Sequence, residues 1–204
     1  MFSVAATPPW SLWDGKDYKN MSDQDEAKFR MIEYHKWKFK AKIFSPLAPL
    51  TVKRTPVLMT RVEYGFLGSY NKYKKSPFET FYMGGDGMSG YSSTYATETI
   101  GLRGYENGSI AGNGGYNSYG YAYSRLSMEL RYPFLLEPSS TIYGLVFVEA
   151  GNAWRDLKDF NPFQLKRSAG VGVRIFLPMI GLMGIDWAYG FDRPDGYDQR
   201  GGSN

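Results

Sequence analysis

The sequence predicts an all-β fold: an antiparallel transmembrane β-barrel, with about seven of its strands present. Three observations predict it. Apolar and polar residues alternate strictly in several segments about as long as transmembrane strands, which need ~9–11 residues where globular strands average ~5–6. The composition is rich in aromatics and turn-formers, with 17 Tyr, 13 Phe, 5 Trp, 24 Gly and 11 Pro in 204 residues; such a mixture suits strands joined by frequent turns. The connections between the alternating segments are by turns long and short.

Taken in order, Phe2, Val4 and Ala6 form the tail of a first strand. From Glu33 the chain reads EYHKWKFKAKIF, with Trp37, Phe39, Ala41 and Ile43 on one face and Lys36, Lys38, Lys40 and Lys42 on the other. A helix would scatter those lysines around its circumference. Over 56–67, Leu58, Val62, Tyr64 and Phe66 oppose Arg61 and Glu63. Over 120–133, Ala122, Leu126, Met128, Leu130 and Tyr132 oppose Arg125, Glu129 and Arg131. Over 141–151, Ile142, Val146, Val148 and Ala150 oppose Glu149. Over 168–178, Ala169, Val171, Val173, Ile175 and Leu177 oppose Arg174. Over 181–192, Met183, Ile185, Trp187, Tyr189 and Phe191 oppose Asp186.

Connections 8–32, 68–119 and 151–167 are long, while 45–55, 134–140 and 179–180 are short. Outer-membrane barrels have long outer loops and short periplasmic turns. A soluble antiparallel sheet with one wet face shows the same alternation, but gives no reason for long strands and alternating loops together. In a membrane barrel the apolar set faces lipid and the charged set faces the lumen. No run of ~18 apolar residues provides a transmembrane helix. Met1–Pro9 lacks the basic start and apolar length of a signal peptide. Bacterial barrels close with an even number of strands. At least one further strand is therefore expected after Asn204, and several before Met1.

The formal charge is +4, from 24 basic and 20 acidic residues, too small an excess to imply a nucleic-acid partner. The absence of cysteine rules out disulfides and thiolate metal sites. A single histidine, His35, rules out a multi-histidine zinc site and receives no role. No catalytic constellation is evident, and no metal or cofactor is expected. Asp14, Asp17, Asp23, Asp25 and Glu26 cluster without the spacing of an EF-hand and read as a solvated loop. Gly84-Gly85-Asp86-Gly87 lacks the Lys-Ser/Thr of a phosphate loop. Asn20-Met21-Ser22 and Asn107-Gly108-Ser109 are weak glycosylation patterns. The stripe Lys36–Lys42 reads as a wet barrel wall, because Trp37 and Phe39 are on the opposite face and cannot stack bases held by the lysines.

Arg103-Gly104-Tyr105 sits inside the long connection 68–119, and a loop of that length is often functional. The adjacent glycine allows a tight backbone turn that can carry the arginine inward. Glu149 could accept a bidentate guanidinium bond. Arg61, Arg125, Arg131, Arg174, Glu63, Glu129 and Asp186 are rival partners. The residues alone leave the pairing open, with an exposed loop arginine as the simpler reading.

The segments SPFETFYMGGDGMSGY (76–91), GLRGYENGS (101–109), ELRYP (129–133), YGLVFVEAGNAW (143–154) and KRSAGVGVRIFLPMIGLMGIDWAYGFD (166–192) resemble the BamA family, within the outer-membrane insertase and two-partner secretion superfamily. With EYHKWKF (33–39), the resemblance is strongest to Bacteroidota members and covers nearly the whole chain. It implies a sixteen-stranded barrel preceded by periplasmic POTRA domains. Residues 1–204 would be the C-terminal part of that bacterial surface antigen type barrel, spanning strands nine to fifteen. The resemblance further implies that the loop 68–119 folds into the lumen. There Arg103 pairs with the acid of the thirteenth strand, Glu149 in Phe147-Val148-Glu149-Ala150-Gly151. Aspartate is common at that position; glutamate keeps the charge and adds one methylene.

The implied function is the folding and insertion of β-barrel proteins into the Gram-negative outer membrane, without enzymatic chemistry. The implied partners are outer-membrane lipid, nascent β-barrel clients and accessory assembly lipoproteins, and no nucleic acid. A TamA-like or two-partner secretion transporter shares the loop motif and is the nearest alternative. A passive porin and a soluble glycan-binding β-domain are the more distant ones.

Overall fold

The alternating segments pair into one open antiparallel sheet. The computed structural model describes residues 1–22, 26–49, 51, 54–86, 98–110, 119–137 and 139–193. In chain order the strands are β1 (Phe2–Ala6), β2 (His35–Pro46), β3 (Val57–Gly68), β4 (Phe81–Met83), β5 (Glu98–Ile100), β6 (Ala122–Glu137), β7 (Ser140–Trp154), β8 (Lys166–Leu177) and β9 (Gly181–Gly190). Seven of them make the sheet, in the order β1-β2-β3-β6-β7-β8-β9, and β4 and β5 form a separate parallel pair. The short turns fall at one end of the sheet and the long connections at the other. Helices α1 (Trp10–Trp13) and α2 (Glu26–Phe29) are single turns in the first long connection. No helix among the described residues is long and apolar enough to cross a membrane, which says nothing about crossing by strands.

One face of the sheet is apolar and bare. Trp37, Phe39, Ile43, Val146, Ile185 and Trp187 stand on it, between 43% and 81% exposed. A patch that extensive is not left to water. The opposite face carries Lys36, Glu63, Arg125, Glu129 and Glu149, all buried. They are buried because the long β3–β6 connection lies over them.

That connection brings its own apolar side chains. Phe81, Met83, Ile100, Leu102 and Ile110 pack against Leu67 of β3, Tyr123 of β6 and Ala153 of β7. Phe81 meets Tyr123 edge-on, with ring centroids 4.6 Å apart. Burial of each large apolar side chain is worth about 1.5–3 kcal/mol before the cost of ordering the chain. This cluster therefore holds the loop against the charged wall. Bridges from Phe81 to Gly120, Met83 to Ile110 and Gly85 to Leu102 tie the loop segments to one another and to the start of β6.

Several boundaries differ from the sequence reading: β7 runs on to Trp154 and β8 starts at Lys166, which shortens the connection expected over 151–167. Strand β6 continues through Pro133 to Glu137 and pairs with β7 down to Ser140. The register shifts between Pro133 and Leu135, and this irregularity accommodates a residue with no N–H to give to the ladder. The turn expected over 134–140 shrinks accordingly. Strand β2 begins at His35 rather than Glu33. Glu33 instead turns its carboxylate to Ser11, accepting from the backbone N–H at 2.7 Å and from Oγ at 2.5 Å.

Candidate functional site

Arg103 lies where the loop reaches the wall. Gly104 has φ 90°, and a Cβ there would lie 3.0 Å from the Gly190 nitrogen and 3.1 Å from Ser168 Cβ. The left-handed turn and the close approach both require glycine. The turn directs the Arg103 guanidinium over the Phe147 ring, 3.5 Å from its centroid. Arginine offers a planar face for the ring and a fork of donors for carboxylates.

Arg103 Nη2 donates to Glu149 Oε1 at 2.7 Å and to Glu129 Oε1 at 2.6 Å. Nη1 donates to Asp186 Oδ2 at 3.3 Å. The Arg103 backbone N–H donates to Glu149 Oε2 at 2.9 Å. Glu149 Oε1 also accepts from Arg125 Nη2 at 2.9 Å and from Ser127 Oγ at 3.0 Å. The strand register explains the convergence. Ser127 stands opposite Glu149, and Arg125 and Glu129 lie two residues to either side on the same face of β6. Burial alone would disfavour the Arg103 charge. The Glu149 hydrogen bond and the Glu149 and Glu129 charges outweigh it and hold the guanidinium above its ordinary value.

The outer members of the cluster are paired in turn. Arg131 forks onto Glu129 Oε2 at 2.6 and 3.0 Å. Arg174 forks onto Asp186, both bonds 2.6 Å. Arg125 also approaches Glu63 at 3.5 Å. Arg61 forms no ion pair with a described residue. Gly151 stands opposite Arg125 and Lys166 in the ladder, and a Cβ there would lie 3.0 Å from the Ser124 oxygen and 3.4 Å from Leu102 Cδ1. The Tyr105 hydroxyl donates to the Arg167 carbonyl at 2.6 Å and accepts from the Asp192 N–H at 3.3 Å. Burial raises the Tyr105 phenol above its ordinary value.

The sequence predicts a wet wall at the lysine stripe. In the structure the loop supplies it with carboxylates. Lys36 approaches Glu79 at 3.0 Å and Glu98 at 3.2 Å, and Lys38 approaches Glu98 at 2.9 Å. Lys40 approaches Glu98 at 3.8 Å and Glu63 at 3.6 Å. One signal could have found this. Glu98 is the only charged residue between Asp86 and Arg103.

A third cluster ties the first long connection to the base of the second. Lys74 lies 4.6 Å from the Tyr18 ring centroid and 3.9 Å from Glu33. The Tyr18 hydroxyl donates to Asp14. Burial, then the Asp14 hydrogen bond, pushes the Tyr18 phenol up to about 12. Of the acidic residues grouped in the sequence, Asp23 and Asp25 lie outside the described residues. Asp17 accepts from Lys19 and Asn20. Gly87 also lies outside the described residues; Gly84 and Gly85 donate their N–H groups to Ile100 and Tyr105 within the loop.

The Arg103 cluster is chemically a clamp. Each of its carboxylates accepts from a guanidinium, and one arginine from the loop joins acids on three strands.

Comparison with known proteins bears on what the clamp belongs to. The crystal structure of BamA from Haemophilus ducreyi lacking POTRA domains 1–3 shares the fold, with TM-score 0.56 and 21% sequence identity over 78% of this chain. The chain spans 32% of the length of that one. No curated protein matches the sequence. A family model described as the Omp85 superfamily domain matches residues 27–202. With an open antiparallel sheet bare and apolar on one face, the chain belongs to the Omp85 superfamily of barrel-type outer-membrane insertases and transporters, and its place is the outer membrane of a Gram-negative bacterium.

Proposed function

We propose that this chain is the barrel portion of the machinery that folds and inserts β-barrel proteins into the outer membrane. The observation that carries the reading is the Arg103 clamp, which fixes a long loop to β6 and β7 through buried charge and to β9 through the more open Asp186. Strand physics supplies the mechanism. An unpaired strand in lipid is costly because its backbone polar groups lack partners. A barrel with a weak seam offers such a strand an edge to pair with. In this reading the strands form the wall opposite and beside that seam, and the clamped loop braces the wall while the seam opens. The partners are outer-membrane lipid, nascent barrel clients and accessory assembly lipoproteins. The process involves no bond-making chemistry and no nucleotide.

Reconstitution tests this. The full-length protein is placed in liposomes with a urea-unfolded outer-membrane barrel as client. Folding is read from the heat-sensitive gel mobility of the client. The expected result is client folding well above that in empty liposomes. Unchanged client folding, with translocation of a soluble passenger instead, would assign the chain to the two-partner secretion transporters.

A further inference from the structure

The loop meets the wall a second time, on the side away from β9. Lysines two residues apart on a strand share a face at a spacing of about 7 Å. On β2 this places Lys36, Lys38 and Lys40 around one carboxylate, with Glu98 at 3.2, 2.9 and 3.8 Å. The Lys36 side chain is only 5% exposed and its Nζ lies 4.9 Å from the Phe81 ring centroid. A buried ammonium needs carboxylate partners, and Glu79 and Glu98 of the loop provide them.

We propose that Glu98, held by Lys36 and Lys38, is a positioning residue: a second anchor that sets where Arg103 meets its acid cluster. This rests on the reading of the clamped loop as a working brace. Four residues lie between Glu98 and Arg103, and the five Cα steps reach at most about 18 Å when extended. Between them Ile100 and Leu102 are buried, at 3% and 0% exposure. The segment is therefore a short strap seated along its length and charged at both ends. A displacement at Glu98 is transmitted to Arg103 with little slack. The wall links the same two points, since Lys40 approaches Glu63, Glu63 approaches Arg125, and Arg125 donates to Glu149.

The test uses the full-length protein in detergent and an arginine-specific protease, with cleavage after Arg103 read by mass spectrometry. Heat-sensitive gel mobility checks that each variant is a folded barrel. Arg103 is 9% exposed, so the docked loop resists cleavage. Glu98→Lys should speed cleavage about tenfold or more, as loss of a charge-assisted contact implies. Glu98→Gln, the gentler variant if the lysine fails to fold, should speed it less. Exchanging the charges, Glu98→Lys with Lys38→Glu, should recover only part of the protection, because Lys36 and Lys40 still face the new lysine. Unchanged cleavage in folded Glu98→Lys and Glu98→Gln would overturn the anchor. Client assembly is measured separately on the same variants. Lost protection with normal client assembly keeps the anchor and removes the brace. Lost client assembly with intact protection does the reverse.

Discussion

Replacing Glu149 tests the clamp at its centre. Its carboxylate accepts four hydrogen bonds: from the Arg103 N–H, Arg103 Nη2, Arg125 Nη2 and Ser127 Oγ. Its side chain is 0% exposed, while those of Arg103 and Arg125 are 10% exposed. Glu149→Ala removes all four acceptor contacts and leaves two guanidinium groups short of their shared counter-charge. Breaking a buried pair on one side costs about 3–5 kcal/mol. At about 1.4 kcal/mol per factor of ten, the undocked share of the loop rises by about two orders of magnitude or more. Glu149→Gln is gentler. Its amide oxygen can take the Oε1 position and keep the contacts to Arg103 Nη2, Arg125 and Ser127, while its NH2 group faces the Arg103 N–H and loses that one. Loss of a charge-assisted hydrogen bond costs about 1.5–3 kcal/mol. The assay is cleavage after Arg103 by an arginine-specific protease in folded full-length protein. The expected order of susceptibility is Ala, then Gln, then wild type. Equal cleavage of Ala and Gln would refute a direct hydrogen-bonded pair.

Three further outcomes follow from the same geometry. A Cβ at Gly190 would lie 2.7 Å from the Gly104 oxygen and 2.8 Å from the Tyr105 ring, so Gly190→Ala should displace the loop tip and expose Arg103 to the same protease, at a cost of about 1–3 kcal/mol. Ile185, midway along β9 and 81% exposed on the apolar face, should resist exchange for arginine: membrane yield should fall, by a penalty of about 2–4 kcal/mol at the bilayer midplane. Lys75 and Asp156 are joined at 2.9 Å with side chains 43% and 41% exposed, so Lys75→Ala should shift the heat-unfolding midpoint little, consistent with about 0–1 kcal/mol.

Much of the fold was legible because side-chain alternation has a period of two. Trp37 against Lys36, or Ile185 against Asp186, fixes a face without any knowledge of neighbours. The short connections make neighbours of β2 and β3, of β6 and β7, and of β8 and β9, while the pairing of β3 with β6 across the long loop is set by the structure. Other features depended on tertiary context. Pro133 reads as a strand end, and only the irregular register opposite Tyr143 and Ile142 shows how β6 continues past it. Glu33 shares the parity of Trp37 and Phe39 and so falls out of phase as a charged residue, and the Ser11 contacts hold it outside β2. At the site, Arg103 drew attention through its glycine and its position in a long loop, but its three acidic partners lie 26, 46 and 83 residues away. No local pattern ranks Glu149 against Glu129 or Asp186, and the structure engages all three. The partners of the lysine stripe are as distant, with Glu79 lying 43 residues from Lys36 and Glu98 60 from Lys38. They belong to a loop seated on the wall by Phe81, Met83 and Leu102 as well as by its ion pairs.

The most direct test of the proposed function is made in cells. The full-length gene carrying Arg103→Ala replaces the wild-type copy, and quantitative mass spectrometry of isolated outer membranes follows. The expected result is a fall in other β-barrel proteins while the variant itself remains in the membrane, with Arg103→Lys intermediate because one ammonium cannot serve Glu129, Glu149 and Asp186 together. Wild-type levels of every other barrel in the Arg103→Ala strain would contradict the assembly role.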